Sequence, residues 1–131
     1  MKALVDTCIW SLALRHKNPD KNIVNKLTDL INDGRAVLIG PIKQEILSGI
    51  FHSGQFEKLK GILSSFEEIQ LNSKHFELAA EFCNICRAKG VQGSTIDFLI
   101  CSVAYSERMF IFSTDKDFEY YAKYLPIKLL K

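Results

Sequence analysis

The chain has 131 residues, of which 47% are hydrophobic and 24% are charged, and this composition is typical of a globular protein with one buried core. No apolar segment approaches the roughly 18 residues that a membrane span requires, and the charge of Asp6 interrupts any signal-peptide core. We therefore expect a cytoplasmic protein with no membrane association and a single domain over residues 1–131. The net charge of +2 alone favours no class of partner.

Short β-like segments alternate with helical ones along the chain, which predicts an α/β fold with a mainly parallel sheet. Strands are predicted at 2–5, 37–39, 68–71, 110–112 and 127–130. Helices are predicted at about 8–15, 19–33, from Gly40-Pro41 onward, and at about 55–65, 73–89, 95–107 and 116–124. Pro19 and Ser73 are suited to open helices, and Gly34 and Gly90 are suited to end them.

Four cysteines and three histidines show no pattern of a metal site. Cys83-x-x-Cys86 is compatible with half of a zinc site or with a redox pair, but the sequence has no second C-x-x-C or H-x3-5-H. The pair also lies late in a helical segment, whereas redox pairs usually lie at a helix N-terminus. We expect these cysteines to be small buried side chains in a reducing compartment. His16, His52 and His75 are expected in loops or at the surface.

Two acidic residues directly follow predicted strands. Asp6 follows the first apolar strand, and Asp115 comes shortly after Phe110-Ile111-Phe112. Ligand sites in parallel α/β sheets lie beyond the carboxyl ends of the strands, where the strand order reverses. The two acids are therefore candidates for one crevice, although Asp6 considered alone can equally be a helix N-cap.

Asp97 lies in a segment apolar enough to be buried on most sides, Ile96–Ala104. An isolated carboxylate there costs several kcal/mol unless it is hydrogen-bonded, paired or bound to a metal ion. Ser94-x-x-Asp97 also has the spacing of a capping box, and both interpretations can hold together on the first turn of a helix. Glu45 lies beside the apolar stripe of the third helix, and alone it would be an ordinary boundary residue.

The candidate acids conceal a basic remainder of the chain. Without five of the acidic residues, the remaining 17 basic and 10 acidic residues carry a net charge of +7. An acidic cavity in an otherwise basic protein suits a phosphodiester that is bound through metal ions. Carboxylates without histidine favour the hard ions Mg²⁺ or Mn²⁺. The five acids are Asp6, Glu45, Asp97, Asp115 and Asp117.

The acidic segments together resemble those of the PIN-domain nucleases. The segment Asp97-Phe98-Leu99-Ile100-Cys101 through Ser113-Thr114-Asp115-Lys116-Asp117-Phe118 resembles the family's C-terminal signature, and Leu4-Val5-Asp6-Thr7 resembles its first strand and first catalytic acid. Glu45 matches the second acid. The resemblance extends over the whole chain, and its length and order of elements are similar to those of VapC-type toxins of prokaryotic toxin–antitoxin pairs.

The resemblance implies a three-layer α/β/α PIN-like fold with a five-stranded sheet in the order 3-2-1-4-5. It also implies that Asp6, Glu45, Asp97 and Asp115 are catalytic metal ligands. Asp117 matches an auxiliary ligand, Thr7 and Thr114 match supporting hydroxyl residues, and Cys8 departs from the serine that many members have. Candidate phosphate contacts are less specific, and these are Arg15, Lys43, Arg87, Lys89 and Lys116.

The implied activity is a Mg²⁺- or Mn²⁺-dependent ribonuclease that cleaves structured RNA, such as transfer or ribosomal RNA, with an activated water. The implied partners are a cognate VapB-type antitoxin, whose tail enters the acidic groove, and a second copy of the chain in a homodimer. One alternative is a catalytically silent PIN-like module that binds RNA or protein. Another is a phosphoryl-transfer domain with Asp6 as nucleophile, but Cys8 stands where haloacid-dehalogenase-like enzymes would have a second aspartate.

Overall fold

A computed structural model describes residues 1–15 and 17–131. The strands are β1 Ala3–Val5, β2 Ala36–Ile39, β3 Glu67–Ile69, β4 Phe110–Phe112 and β5 Lys128–Leu129. The helices are α1 Thr7–Arg15, α2 Lys21–Asn32, α3 Gly40–Leu47, α4 Ser53–Ser64, α5 Ser73–Ala88, α6 Thr95–Ser106 and α7 Asp117–Ala122. The prediction for His16 falls outside the described residues.

The five strands form one parallel sheet in the order β3-β2-β1-β4-β5, which confirms the predicted fold. The strand order reverses at β1, whose neighbours are β2 on one side and β4 on the other. Right-handed crossovers on either side of such a reversal place helices on both faces of the sheet. The crevice predicted from the positions of Asp6 and Asp115 therefore lies between β1 and β4.

The central strands are short and apolar because helices cover both of their faces. Every residue of β1 is fully buried, and Val37, Leu38 and Ile39 of β2 are fully buried as well. In strands that are covered on both faces, the sequence is a continuous run of apolar residues, with no alternation of apolar and polar positions. Trp10 of α1 fixes this helix to the sheet, since its indole N–H donates a hydrogen bond to the Val5 carbonyl at 3.1 Å.

Two helices are capped by residues that the sequence analysis did not name, Asp20 and Asn72. Helix α2 begins after Pro19, because the carboxylate of Asp20 accepts a hydrogen bond from the Asn22 N–H. Helix α5 is capped by Asn72 instead of Ser73. The third predicted strand is also displaced and lies at Glu67–Ile69.

The capping by Asn72 also makes the prediction for His75 wrong. The Asn72 side chain accepts from the His75 N–H, and His75 Nδ1 accepts from the Asn72 N–H at 3.2 Å. This capping box draws the imidazole inward, so that His75 is 3% exposed. His52 fits its prediction, because it is exposed and caps α4 through a hydrogen bond from the Gln55 N–H.

The cysteines are free thiols. Cys86 and Cys101 are buried, and Cys83 and Cys8 are half-buried. Cys83 packs against the core beside Cys86, as expected for small apolar side chains. Within the described ranges, no helix combines the length and apolarity needed to cross a membrane.

Leu4→Ala tests how far the central strand supports the fold. Leu4 is 0% exposed, so its truncation should lower the free energy of unfolding by about 2–5 kcal/mol. Leu14→Ala is the matched control, because Leu14 is 39% exposed on α1 and its truncation should cost less than about 0.5 kcal/mol. Urea denaturation measures both variants, and equal losses would contradict the described burial.

Candidate active site

The carboxyl ends of β1 and β4 hold Asp6 in place. The two strands pair with Val5 opposite Phe112, so that Asp6 and Ser113 are the next neighbours across the strands. The Asp6 N–H donates to the Phe112 carbonyl at 2.9 Å, and the Ser113 hydroxyl donates to Asp6 Oδ2 at 2.8 Å. Asp6 Oδ1 accepts from the Thr7 N–H at 2.8 Å. Asp6 thus takes part in the start of α1 and faces the site as well.

Glu45 reaches the same site from α3, which begins directly after β2. The Thr7 hydroxyl donates to Glu45 Oε1 at 3.3 Å, while its N–H binds Asp6. Thr7 therefore links the first two candidate acids.

Asp97 enters from the first turn of α6. Its N–H donates to the Ser94 hydroxyl oxygen at 3.0 Å, which is the N-cap interaction that the sequence predicts. Its carboxylate is half-buried and accepts a hydrogen bond at Oδ2 from the Tyr121 hydroxyl at 2.6 Å. The segment therefore carries both a helix cap and an acid that faces the site.

The loop after β4 carries Asp115 and Asp117. The Asp115 N–H donates to the Ser113 hydroxyl oxygen at 3.0 Å, and Asp115 Oδ1 accepts from the Asp117 N–H at 2.9 Å. One carboxylate oxygen from each of Asp97, Asp115 and Asp117 lies within 4.8 Å of the others. These three acids form the most compact part of the site.

The four acids Asp6, Glu45, Asp97 and Asp115 line one cavity of ≈570 Å³. Four separate segments of the chain supply them. Asp117 adds a fifth carboxylate, which lies near those of Asp97 and Asp115. Two other cavities, of ≈560 and ≈710 Å³, have no carboxylate among their described lining residues.

The site carries strong negative charge in a partly dry environment. Burial raises the pKa of Asp97 above its ordinary value, and the nearby charges of Asp6 and Asp115 raise it further. Hydrogen bonds from Tyr121 and Ser94 act in the opposite direction and favour the ionised form. A divalent cation would reverse the repulsion between the carboxylates.

Cys8 and Thr114 contact each other inside the site. The Thr114 hydroxyl and N–H both donate to Cys8 Sγ, at 3.3 and 3.4 Å. Cys8 Sγ also lies 3.7 Å from Asp6 Oδ2 and 3.4 Å from the Ser113 hydroxyl oxygen. Thr114 therefore contacts the thiol, whereas the hydroxyl that contacts Asp6 directly belongs to Ser113.

Ser113 and Tyr121 are site residues that the sequence analysis missed. Ser113 was detectable in principle, since it follows β4 as Asp6 follows β1 and parallel pairing aligns the two. Tyr121 lies three residues after Phe118 on the buried face of α7, where a phenol requires a hydrogen-bond partner. Nothing in its local sequence identifies Asp97 as that partner.

The five candidate phosphate-binding residues lie in different surroundings. Arg15 lines a cavity of ≈400 Å³ that adjoins the acidic one and shares Thr7 and Glu45 with it. Lys43 is paired with Glu68 at 3.3 Å. The other three lie near the end of α5 or at the start of α7, and they are Arg87, Lys89 and Lys116. Of the five, Arg15 is the one that lines this adjoining cavity.

A parallel α/β domain with acids gathered at its topological switch has its candidate site where open α/β sheets bind ligands. The PIN domain family model matches residues 3–124. The chain therefore belongs to the PIN domain family, whose members are generally nucleases. Sequence comparison with curated proteins gives no significant match.

Solved structures with the same fold include complexes of toxins with antitoxins. VapBC2 from Rickettsia felis, bound to a DNA fragment from its promoter, has a TM-score of 0.79 and 23% identity over 100% of this chain and 98% of that one. FitAcB from Neisseria gonorrhoeae has a TM-score of 0.77 and 15% identity over 98% and 96%. VapBC-1 from nontypeable Haemophilus influenzae has a TM-score of 0.75 and 16% identity over 100% and 98%.

Asp97→Asn should stabilise the metal-free protein at pH 7. A folded-state pKa above the ordinary value means that the folded protein binds more protons than the unfolded chain, so stability falls as the pH rises through that interval. The amide removes the charge but keeps an oxygen for Tyr121. The melting temperature of Asp97→Asn should therefore exceed that of the wild type at pH 7. This difference should shrink as the pH falls below the ordinary pKa of Asp, about 3.9.

Asp29→Asn is the control for this measurement, because Asp29 is exposed on α2. Thermal melts of both variants between pH 3 and pH 7, in the presence of a chelator, make the comparison. An Asp97→Asn variant that melts below the wild type at pH 7 would contradict the described electrostatics.

Proposed function

We propose that this PIN domain is a Mg²⁺- or Mn²⁺-dependent endoribonuclease, the toxin of a VapBC-type pair, which cleaves structured RNA by hydrolysis. The observation that supports it is the convergence of Asp6, Glu45, Asp97 and Asp115 on one cavity. Acids from four separate segments would repel one another there without a counter-charge. A divalent cation is the simplest group that makes this arrangement favourable.

The donor set fits a hard ion. Mg²⁺ lies about 2.0–2.1 Å from its oxygen ligands, so two ligand oxygens are at most about 4.2 Å apart. The oxygens of Asp97, Asp115 and Asp117 lie within 4.8 Å of one another, and Asp115 and Asp117 are exposed. Small rotations of these two side chains would bring three oxygens onto one ion. A bound ion would supply positive charge for the scissile phosphate and would lower the pKa of a coordinated water.

The side chains of the site would orient the attacking water and the metal ion. Glu45, held by Thr7, would accept a hydrogen bond from the attacking water, and Asp6 would complete the ligand set. Asp6 accepts hydrogen bonds from the Thr7 N–H at Oδ1 and from the Ser113 hydroxyl at Oδ2, and these bonds orient the carboxylate while leaving lone pairs for an ion. The attacking group in this proposal is a water, held in line by these residues. Arg15, in the adjoining cavity, would bind a flanking phosphate.

The similar solved structures and the acidic charge of the cavity suggest the partners that we propose. The similar structures from Rickettsia felis and Haemophilus influenzae carry the VapBC name. We extend this to a VapB-type antitoxin whose basic tail covers the acidic cavity, and to a homodimer that acts in the cytoplasm. A cation-bearing side chain from a partner could satisfy the same carboxylates as the metal ion.

Metal binding should appear as a rise in stability. An ion that binds only the folded state adds about 2.7 kcal/mol at 100 times its dissociation constant. Thermal melts of the wild type with Mn²⁺ or with EDTA measure this, and Asp6→Asn together with Asp97→Asn should remove the response. An unchanged melting temperature of the wild type across millimolar Mn²⁺ would contradict the proposed metal site.

RNA cleavage tests the activity itself. Wild-type protein should cleave total transfer or ribosomal RNA with Mn²⁺ and lose the activity in EDTA. Asp6→Asn and Asp97→Asn should each reduce cleavage by at least about a hundredfold, because each removes a ligand charge. Asp29→Asn, an exposed acid on α2, should retain the wild-type rate. Metal-independent binding of RNA without any cleavage would favour the catalytically silent module instead.

A further inference from the structure

Tyr121 places a buried phenol against the proposed metal site. Its side chain belongs to α7 and is fully buried. Its hydroxyl donates to Asp97 Oδ2 at 2.6 Å, a short hydrogen bond to a charged acceptor. Bonds of this kind are roughly twice as strong as those between neutral groups. A core aromatic residue is therefore connected directly to one of the candidate ligands.

The ring has little freedom to move. Its centroid lies 5.1 Å from that of Phe98 and 5.4 Å from that of Phe118, in a tilted and an edge-on arrangement. Phe98 follows Asp97 in α6, and Phe118 lies one turn before Tyr121 in α7. The two helices thus hold the ring at the position that brings its hydroxyl to the acid.

Gly93 leaves the space that this hydroxyl occupies. A methyl group at position 93 would lie 2.7 Å from Cζ and 2.9 Å from Cε1 of Tyr121, and it would overlap the hydroxyl oxygen. The absence of a side chain at Gly93 is therefore required by Tyr121. Two segments nearly 30 residues apart are adapted to the same hydrogen bond.

We infer that Tyr121 is a positioning residue for metal binding, which fixes the orientation of the Asp97 carboxylate through its hydroxyl. The inference rests on the proposed function. A carboxylate on the first turn of a helix can rotate about its Cβ–Cγ bond, and a hydrogen bond to one oxygen removes that freedom. An acid that is already oriented binds an ion without first being ordered.

Tyr121→Phe removes the hydroxyl and retains the ring between Phe98 and Phe118. The dissociation constant for Mn²⁺, measured by calorimetry, should rise at least about tenfold, which is the usual effect of losing a hydrogen bond to a ligand. Cleavage at low Mn²⁺ should fall, and saturating Mn²⁺ should restore most of it while KM for RNA stays unchanged. A purely structural role would lower the melting temperature without this dependence on metal concentration.

Tyr120→Phe is the matched control, because Tyr120 is the preceding residue on the same helix and is 52% exposed. It should bind Mn²⁺ as the wild type does. Gly93→Ala is a second variant that keeps the phenol and displaces it, and it should weaken Mn²⁺ binding in the same direction. It also tests the inference if Tyr121→Phe does not fold.

The outcomes separate the two proposals. Wild-type Mn²⁺ affinity and wild-type cleavage in both Tyr121→Phe and Gly93→Ala would overturn the positioning role and leave the metal site intact. A wild-type protein that shows no heat of Mn²⁺ binding would overturn the metal site and the positioning role together. A loss of affinity in Tyr120→Phe equal to that in Tyr121→Phe would also contradict a specific role for the buried hydroxyl.

Discussion

The parallel pairing of β1 with β4 is the constraint on which the site depends. It places Asp6 beside Ser113 and directs the loop that carries Asp115 and Asp117 to the same edge of the sheet. Because the strand order reverses here, α3 and α6 also begin near this edge, and they add Glu45 and Asp97. A different order of the same strands would separate these acids. The strand order therefore brings the acids of the candidate site together, and no local motif does so alone.

Gathering carboxylates in this way has an electrostatic cost, which the structure offsets with individual hydrogen bonds. Ser113 and Thr7 bind Asp6, Thr7 also binds Glu45, and Tyr121 binds Asp97. Each bond limits the rotation of its carboxylate, and the bond from Tyr121 also favours the charged form of Asp97. Burial and, to a smaller extent, the charges of Asp6 and Asp115 raise the pKa of Asp97, and a divalent cation beside these carboxylates would offset both effects. The close carboxylates thus lower the stability of the metal-free protein and provide the charge that an ion would bind.

The sequence predicted the elements of the fold better than the contacts between their side chains. Continuous apolar runs such as Leu4-Val5 identify strands covered on both faces, and the strand order came from the resemblance to PIN domains and was confirmed. The errors have tertiary or side-chain causes. The structure has Asn72 as the N-cap of α5 where the sequence analysis named Ser73, and the capping box with Asn72 accompanies the burial of His75. Tyr121 could not be assigned to Asp97, because the two lie 24 residues apart and meet only through packing.

Cys8, which departs from the family pattern, contacts the first acid of the site. The resemblance leads one to expect a serine hydroxyl at this position, close to the first acid. Here the Asp6 carboxylate accepts a hydrogen bond from the Ser113 hydroxyl at 2.8 Å and a longer one from Cys8 Sγ at 3.7 Å, and Cys8 Sγ itself accepts from Thr114. A thiol is a weak donor, so it would leave Asp6 less well oriented if it were the sole partner. Because parallel pairing sets Ser113 beside Asp6, the residue after β4 supplies a hydroxyl donor to the first acid where Cys8 offers only a thiol.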